Sequence, residues 1–269
     1  MSAFAAKVAA LTGVAEARLE RLAGGDLSEV LLIRRPDGRR IVAKGGPAVA
    51  TEAAMLRALA AAGVAAPAVE GEHEGVLLLE HVEHDGLFSP HAWADIGAAV
   101  RNLHARRGQG YGWPVDYALG SVALDNRQRR EWPEFWGEQR LVSTARVLDR
   151  PWRDRIGGLA KRLRELLPAD PPRALLHGDL WSGNILVAEG RLAALVDPAC
   201  YYGHAEVDLA MLTLFGSPPP EFWDAYGPLE PGWEERRIIY QLFPALVHLR
   251  LFGASYAGMV ERLLEQARA

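Results

Sequence analysis

The stretch His177-Gly178-Asp179-Leu180-Trp181-Ser182-Gly183-Asn184 constrains this chain more than any other. Short apolar runs of strand length lie on both sides of it, near residues 174–176 and 185–187, and a further run over 192–196 ends at Asp197. A polar loop between such runs, with another carboxylate closing the next one, requires a fold that brings the loop and a strand end to one place. The rest of the chain divides around this requirement. Residues 29–34 and 40–44 read as strands joined by the turn Pro36-Asp37-Gly38, and 51–62 as a helix ended by Gly63. Residues 76–82 form a continuous apolar run that predicts a central strand. From there the pattern turns helical: 90–105, then a glycine- and aromatic-bearing loop region over 108–126, helices near 132–148 and 152–167, and helix after 205. The expected class is α+β in two lobes, a small β-rich lobe with one main helix over 1–82 and a larger, mostly α lobe over 83–269.

Composition narrows the class of partner. With 269 residues, 49% hydrophobic and 24% charged, the chain carries an ordinary globular core. A formal net charge of −4 offers no basic face, so neither nucleic acid nor membrane is expected as a partner. A single cysteine, Cys200, excludes an intrachain disulfide, and no apolar run reaches membrane-span length, so a cytoplasmic location is expected. Only three of the 30 basic residues are lysines, Lys7, Lys44 and Lys161. In so arginine-rich a chain, a lysine kept in an apolar strand is informative, and Lys44 is that lysine.

Phosphoryl transfer needs the residue types found here. One carboxylate accepts the proton of the attacking hydroxyl, while an amide oxygen and a second carboxylate hold Mg²⁺ on the triphosphate of ATP. Four residues separate Asp179 from Asn184, as in the H-R-D-x-x-x-x-N loop of protein kinases, and Asp197 stands where their D-F-G aspartate would. Asp179 is therefore the expected base, with Asn184 and Asp197 as metal ligands. Lys44 would reach the α- and β-phosphates, with Glu52 on the next helix offsetting its burial. Gly24, Gly25 and Ser28 form a candidate phosphate loop before the first strand. Glu80 and Val82 flank the hinge that would offer backbone groups to adenine. Trp132 and Trp136, at helical spacing, are expected in the core, and Cys200 as a small buried residue.

HGDLWSGNIL and VDPACYYGHAEVDLAML, with FWGEQRL and YGWPVDYALGS upstream, resemble the fructosamine kinase (ketosamine kinase) family of the aminoglycoside-phosphotransferase-like superfamily. The resemblance runs from about Leu22 to the last helices. It implies a bilobal kinase-like fold and ATP-dependent phosphorylation of a sugar hydroxyl on ketosamines, free or protein-linked, an activity that leads to deglycation. It further implies that Trp181 and His204 border the sugar pocket. Asp-Pro-Ala in place of D-F-G argues against a Ser/Thr protein kinase. Two other functions fit the same residues less well: a phosphotransferase for an aminoglycoside or a choline-like alcohol, and an ATP-binding scaffold without catalysis.

Overall fold

The computed structural model describes residues 2–15, 18–22 and 28–269. The N-terminal region is built on one antiparallel sheet. Helix α1 (Ala3–Thr12), capped by Ser2, precedes β1 (Leu19–Arg21), β2 (Val30–Arg34) and β3 (Arg40–Gly45). Helix α2 (Val49–Ala61), β4 (Val69–His73) and β5 (Val76–Glu80) complete it. The strand order is β1-β2-β3-β5-β4. Strand β3 thus lies at the centre, with Lys44 opposite Val30 on β2 and Leu77 on β5. Alternation sets the two faces of the sheet. Leu31, Ile33, Ile41, Ala43 and Leu78 pack under α1, while Leu77 and Leu79 pack against Ala53 and Leu56 of α2.

The C-terminal region is helical. Helix α3 (Pro90–Ala105) has Ser89 as its N-cap and Pro90 in its first turn, where a missing N–H costs nothing. A small hairpin of β6 (Tyr117–Leu119) and β7 (Val122–Leu124) follows. One helical run comprises α4 (Trp132–Glu134), a π-helical stretch Phe135–Val142 and α5 (Ser143–Ala145), before α6 (Arg150–Leu166). Two short ladders carry the polar loop: β8 (Ala174–Leu176) pairs with β11 (Tyr201–Gly203), and β9 (Ile185–Ala188) pairs with β10 (Arg191–Leu195). Helices α7 (Glu206–Leu212), α8 (Pro220–Tyr226), α9 (Trp233–Phe252) and α10 (Ala257–Gln266) close the chain. Their core contains Trp132 and Trp136, both fully buried, and Cys200, whose thiol burial pushes well above its ordinary pKa.

The sheet-plus-helices expectation matches this architecture. The loop expected over 108–126 does not: alternation in Tyr-Ala-Leu and Val-Ala-Leu around Gly120-Ser121 makes a hairpin there. Among the described residues, no helix is long and apolar enough to cross a membrane.

Candidate functional site

The polar loop is locked into place by its own backbone. Gly178 sits at φ +83°, and a Cβ there would lie 2.0 Å from the Ala199 carbonyl oxygen, so only glycine makes this turn. His177 is fully buried and ties two segments together. Its Nε2–H donates to the Val196 carbonyl at 3.0 Å, and its Nδ1 accepts from the Asp179 N–H at 3.4 Å. Burial pushes its pKa below the ordinary histidine value, in keeping with a neutral ring that has one donor and one acceptor nitrogen. Beneath the turn lies Asp208 of α7, fully buried, accepting from His177 N–H at 2.7 Å and Gly178 N–H at 2.9 Å. His104 of α3 holds the same carboxylate at 3.1 Å and contacts the Tyr226 hydroxyl at 2.9 Å.

On this base the predicted residues converge. Asn184 Nδ2 donates to the Asp179 carboxylate at 3.0 Å and to the Asp179 carbonyl at 2.9 Å. A carboxylate cannot donate, so this fixes the amide orientation and leaves the Asn184 side-chain oxygen as an acceptor. Burial pushes the Asp179 carboxyl up to about 6, against the Asn184 hydrogen bond that lowers it. Lys44 Nζ donates to Glu52 at 2.7 Å and to Asp197 at 2.8 Å. The short interval between Lys44 and Glu52 in the chain is bridged because α2 begins directly over the end of β3. Burial alone would depress the Lys44 pKa, but the Glu52 and Asp197 carboxylates outweigh it and hold the ammonium charged. Asp197 adopts φ 55°, a left-handed conformation rare for any residue but glycine, asparagine and aspartate. That turn aims its carboxylate back at the cleft, with the side chain 44% exposed.

All of these groups face one cavity of about 550 Å³. Its inner end is polar, with Ser28, Lys44, Glu52, Asp179, Asn184 and Asp197; its outer wall is aromatic, with Trp181, Phe215, His248, Phe252 and Tyr256. The Trp181 indole closes on Gly183, where a Cβ would be 2.4 Å from the ring. The donor set fits a hard divalent cation: the Asn184 amide oxygen and the Asp197 oxygen not engaged by Lys44 are the kind of ligand such an ion takes alongside phosphate oxygens.

The other predicted residues fall elsewhere. Gly24 and Gly25 lie outside the described residues. Glu80 and Val82 do not line this cavity; the Glu80 carboxylate accepts from Ala68 N–H at 3.1 Å, and the Val82 carbonyl from His84 at 3.1 Å. His204 is a correction. Its ring turns inward after β11 and is buried, with Nδ1 2.8 Å from the Tyr240 hydroxyl, so it packs in the core rather than bordering the cavity. Two residues that the sequence reading passed over belong to the site, Asp208 and Tyr117. An acid inside the apolar run Val-Asp-Leu-Ala-Met-Leu was the available signal for Asp208; for Tyr117 it was its place in YGWPVDYALGS, one of the blocks that carry the family resemblance.

A β-sheet region with its lysine on the central strand, joined to a helical region whose short ladders and polar loop present Asp179, Asn184 and Asp197, defines a phosphotransferase of the kinase-like fold. The fold is shared with a macrolide and an aminoglycoside phosphotransferase, at TM-scores of 0.62 and 0.66. The family model for fructosamine kinase matches residues 4–269, and the chain belongs to that family. A Thermus thermophilus protein named a probable ketoamine kinase is 37% identical over 255 residues, 90% of this chain and 91% of that protein. An Enterococcus faecium protein with the same name is 40% identical over 181 residues, 64% of this chain and 65% of its own length. A Thermobifida fusca structure assigned as a fructosamine-3-kinase superposes with a TM-score of 0.88 at 31% identity, covering 99% of both chains.

Proposed function

We propose that this chain transfers the γ-phosphoryl group of ATP to a sugar hydroxyl of a ketosamine, free or protein-linked, with residues 1–82 as the nucleotide-binding lobe and 83–269 as the catalytic and acceptor lobe. One observation carries the reading: a charged Lys44–Glu52–Asp197 cluster and a buried Asp179–Asn184 pair share a single cavity. Asp179 accepts the hydroxyl proton, and its raised pKa of about 6 keeps it a carboxylate at neutral pH while making it a better base than a free aspartate. Lys44, charged and pinned on both sides, holds the phosphates in line. Asn184 and Asp197 would hold Mg²⁺, which neutralises charge on the triphosphate. Trp181 offers a ring face on which a sugar can lie. The proposed place of action is the cytoplasm, on small molecules or exposed lysine adducts; among the described residues no helix is long and apolar enough to cross a membrane.

The outer wall favours a ketosamine over an aminoglycoside. A polycationic drug needs several free carboxylates, yet among the described residues the acids lining the cavity are Glu52, Asp179 and Asp197, and each already has a partner at the inner end. An aromatic wall suits the apolar stem of a glycated amine. The test is ATP turnover against fructosyl-, ribulosyl- and erythrulosyl-amines beside aminoglycosides and choline. Turnover confined to the ketosamines is expected, falling by about 10²–10⁴-fold in Asp179→Asn with ATP binding kept. Preference for an antibiotic or choline, or a variant as active as the native enzyme, would overturn it.

A further inference from the structure

The rings of the outer wall form one connected group. His248 and Phe252 stand one turn apart at the end of α9, and Tyr256 follows in the short helical turn Ala254–Tyr256. The His248 ring centroid lies 5.4 Å from that of Phe252 and 5.1 Å from that of Tyr256. Phe215, just beyond α7, packs into the same group, 4.8 Å from His248 and 6.5 Å from Tyr256. At its inner edge Phe215 meets Trp181 edge-on at 6.3 Å, and Trp181 belongs to the polar loop that carries Asp179. Contact thus runs ring to ring from the loop of the expected base to the mouth of the cavity. Of these rings only Trp181 has a part in the reaction as derived above.

Two properties define what such a wall can take. It leaves apolar surface open: Phe215 is 39% exposed and Phe252 42%, although burying a ring of that size is strongly favourable. Neighbouring open rings at the mouth of a cavity make a surface that a ligand can cover. The wall also carries no ionised group. His248 Nδ1–H donates to the Pro244 carbonyl at 2.8 Å, and burial lowers the pKa of the ring, in keeping with a neutral imidazole. Among the described residues that line the cavity, Lys44 is the one lysine or arginine, and Glu52 and Asp197 pin it at the inner end. Aromatic faces are the negative side of the ring quadrupole, so a cation seated on them is attracted and meets no competing positive charge. A carboxylate in the same place finds no cation to offset its lost water.

A ketosamine has the matching chemistry. Its nitrogen is a secondary amine, protonated at neutral pH, joined to one end of the sugar and continued by the carbon chain of the parent amine. We propose that Phe215, His248, Phe252 and Tyr256 form a subsite for this amine half of the acceptor. It takes an alkylammonium over its ring faces and discriminates against amines that carry a carboxylate beside the nitrogen. Glycated lysine side chains, whose nitrogen continues into methylenes, are then preferred to glycated α-amino acids. This rests on the ketosamine reading, so the test has an arm free of the sugar. First, kcat/KM is measured for the native chain, Phe215→Leu and Phe252→Leu with the ketosamines of hexylamine and of glycine, made with the same sugar. AMP-PNP affinity and melting temperatures are measured alongside. Leucine keeps each position apolar and removes only the ring face. The native chain is expected to prefer the hexylamine adduct at least about tenfold, the worth of roughly two buried methylenes. Each leucine variant should melt and bind AMP-PNP like the native chain, yet lose about three- to fivefold in kcat/KM for the hexylamine adduct, carried by KM, the scale of one exposed cation–π contact. The glycine adduct should lose less, so that selectivity narrows. Equal use of the two adducts, native selectivity in both variants, or a fall in AMP-PNP affinity, which would give the wall to the adenine base, each overturns the proposal. In the second arm, hexylammonium and hexanoate are titrated into the AMP-PNP–Mg²⁺ complex by saturation-transfer NMR. Hexylammonium should bind, and more weakly in Phe252→Leu; hexanoate binding as well or better overturns the proposal. A chain that phosphorylates no ketosamine counts against the acceptor assignment, and the sugar-free arm then decides the subsite by itself.

Discussion

Lys44 lies between carboxylates that come from opposite sides of the cleft, Glu52 at 2.7 Å and Asp197 at 2.8 Å. The position calls for a compact charge with several donors on a flexible stem; a guanidinium is longer, planar and forked. Lys44→Arg should therefore fold, with a melting temperature within a few degrees of native, yet lose roughly 10²-fold in turnover, the usual cost of displacing a positioning group by about an ångström. Combined with Glu52→Ala, the loss should fall well short of the product of the single losses. Steady-state kinetics with melting curves check both, and full activity in Lys44→Arg would remove Lys44 from the site. Lys44, Glu52, Asp179, Asn184 and Asp197 could be read from the sequence as one cluster because phosphoryl transfer demands those residue types at restricted spacings. Asp208 and Tyr117 could not, since their meaning depends on groups that only the fold brings near. His204 misled for the opposite reason: its motif places it beside the loop, but the direction of its ring after a three-residue strand is decided by packing.

Among the elements, the strands with continuous apolar runs were legible, and so were the helices with caps and period. The short edge strands β1 and β4 were not, because Leu19–Arg21 and Val69–His73 are largely polar and pair only through neighbours already in place. The hairpin over 117–124 was hidden by the glycines and aromatic residues around it. The element that most controls the site is α7, a single short helix whose Asp208 gathers two backbone N–H groups of the polar loop and the ring of His104. An asparagine there presents an N–H₂ group where only acceptors are wanted, and leaves buried donors unpaired. Asp208→Asn should cost about 2–3 kcal/mol in urea denaturation, the range for a lost hydrogen-bonded charge, and lower kcat more than it raises KM. Native stability would show that the loop holds its shape without this tether.

At the scale of the whole molecule, buried histidines couple folding to pH. His204 sits among Trp132, Tyr240 and the Glu206–Arg236 ion pair, and burial, with the Arg236 charge and then His104, pushes its pKa down to about 3. Glu206 and Glu230 come close enough to His204 to suggest a metal cage, but the Arg236 guanidinium, 2.7 Å from Glu206, already supplies the positive charge. In the unfolded chain His204 takes up its proton near pH 6.5, whereas the folded chain withholds it down to about 3. Between those values the unfolded state binds more protons, so stability is full above pH 6.5 and is lost progressively as the pH falls toward 3. Going from pH 7 to 5.5, this one group should remove about 1 kcal/mol. His177, buried and depressed in the same direction, adds to the trend. His204→Asn keeps an amide to pair with the Tyr240 hydroxyl but cannot take up the proton. Its stability at pH 7 is expected below native because packing is lost, while its decline between pH 7 and 5.5 should be shallower by that same amount. Denaturant midpoints across this range decide the matter. A variant that loses stability with acid as steeply as the native chain would clear His204, leaving His177 and the carboxylates as the source of acid sensitivity.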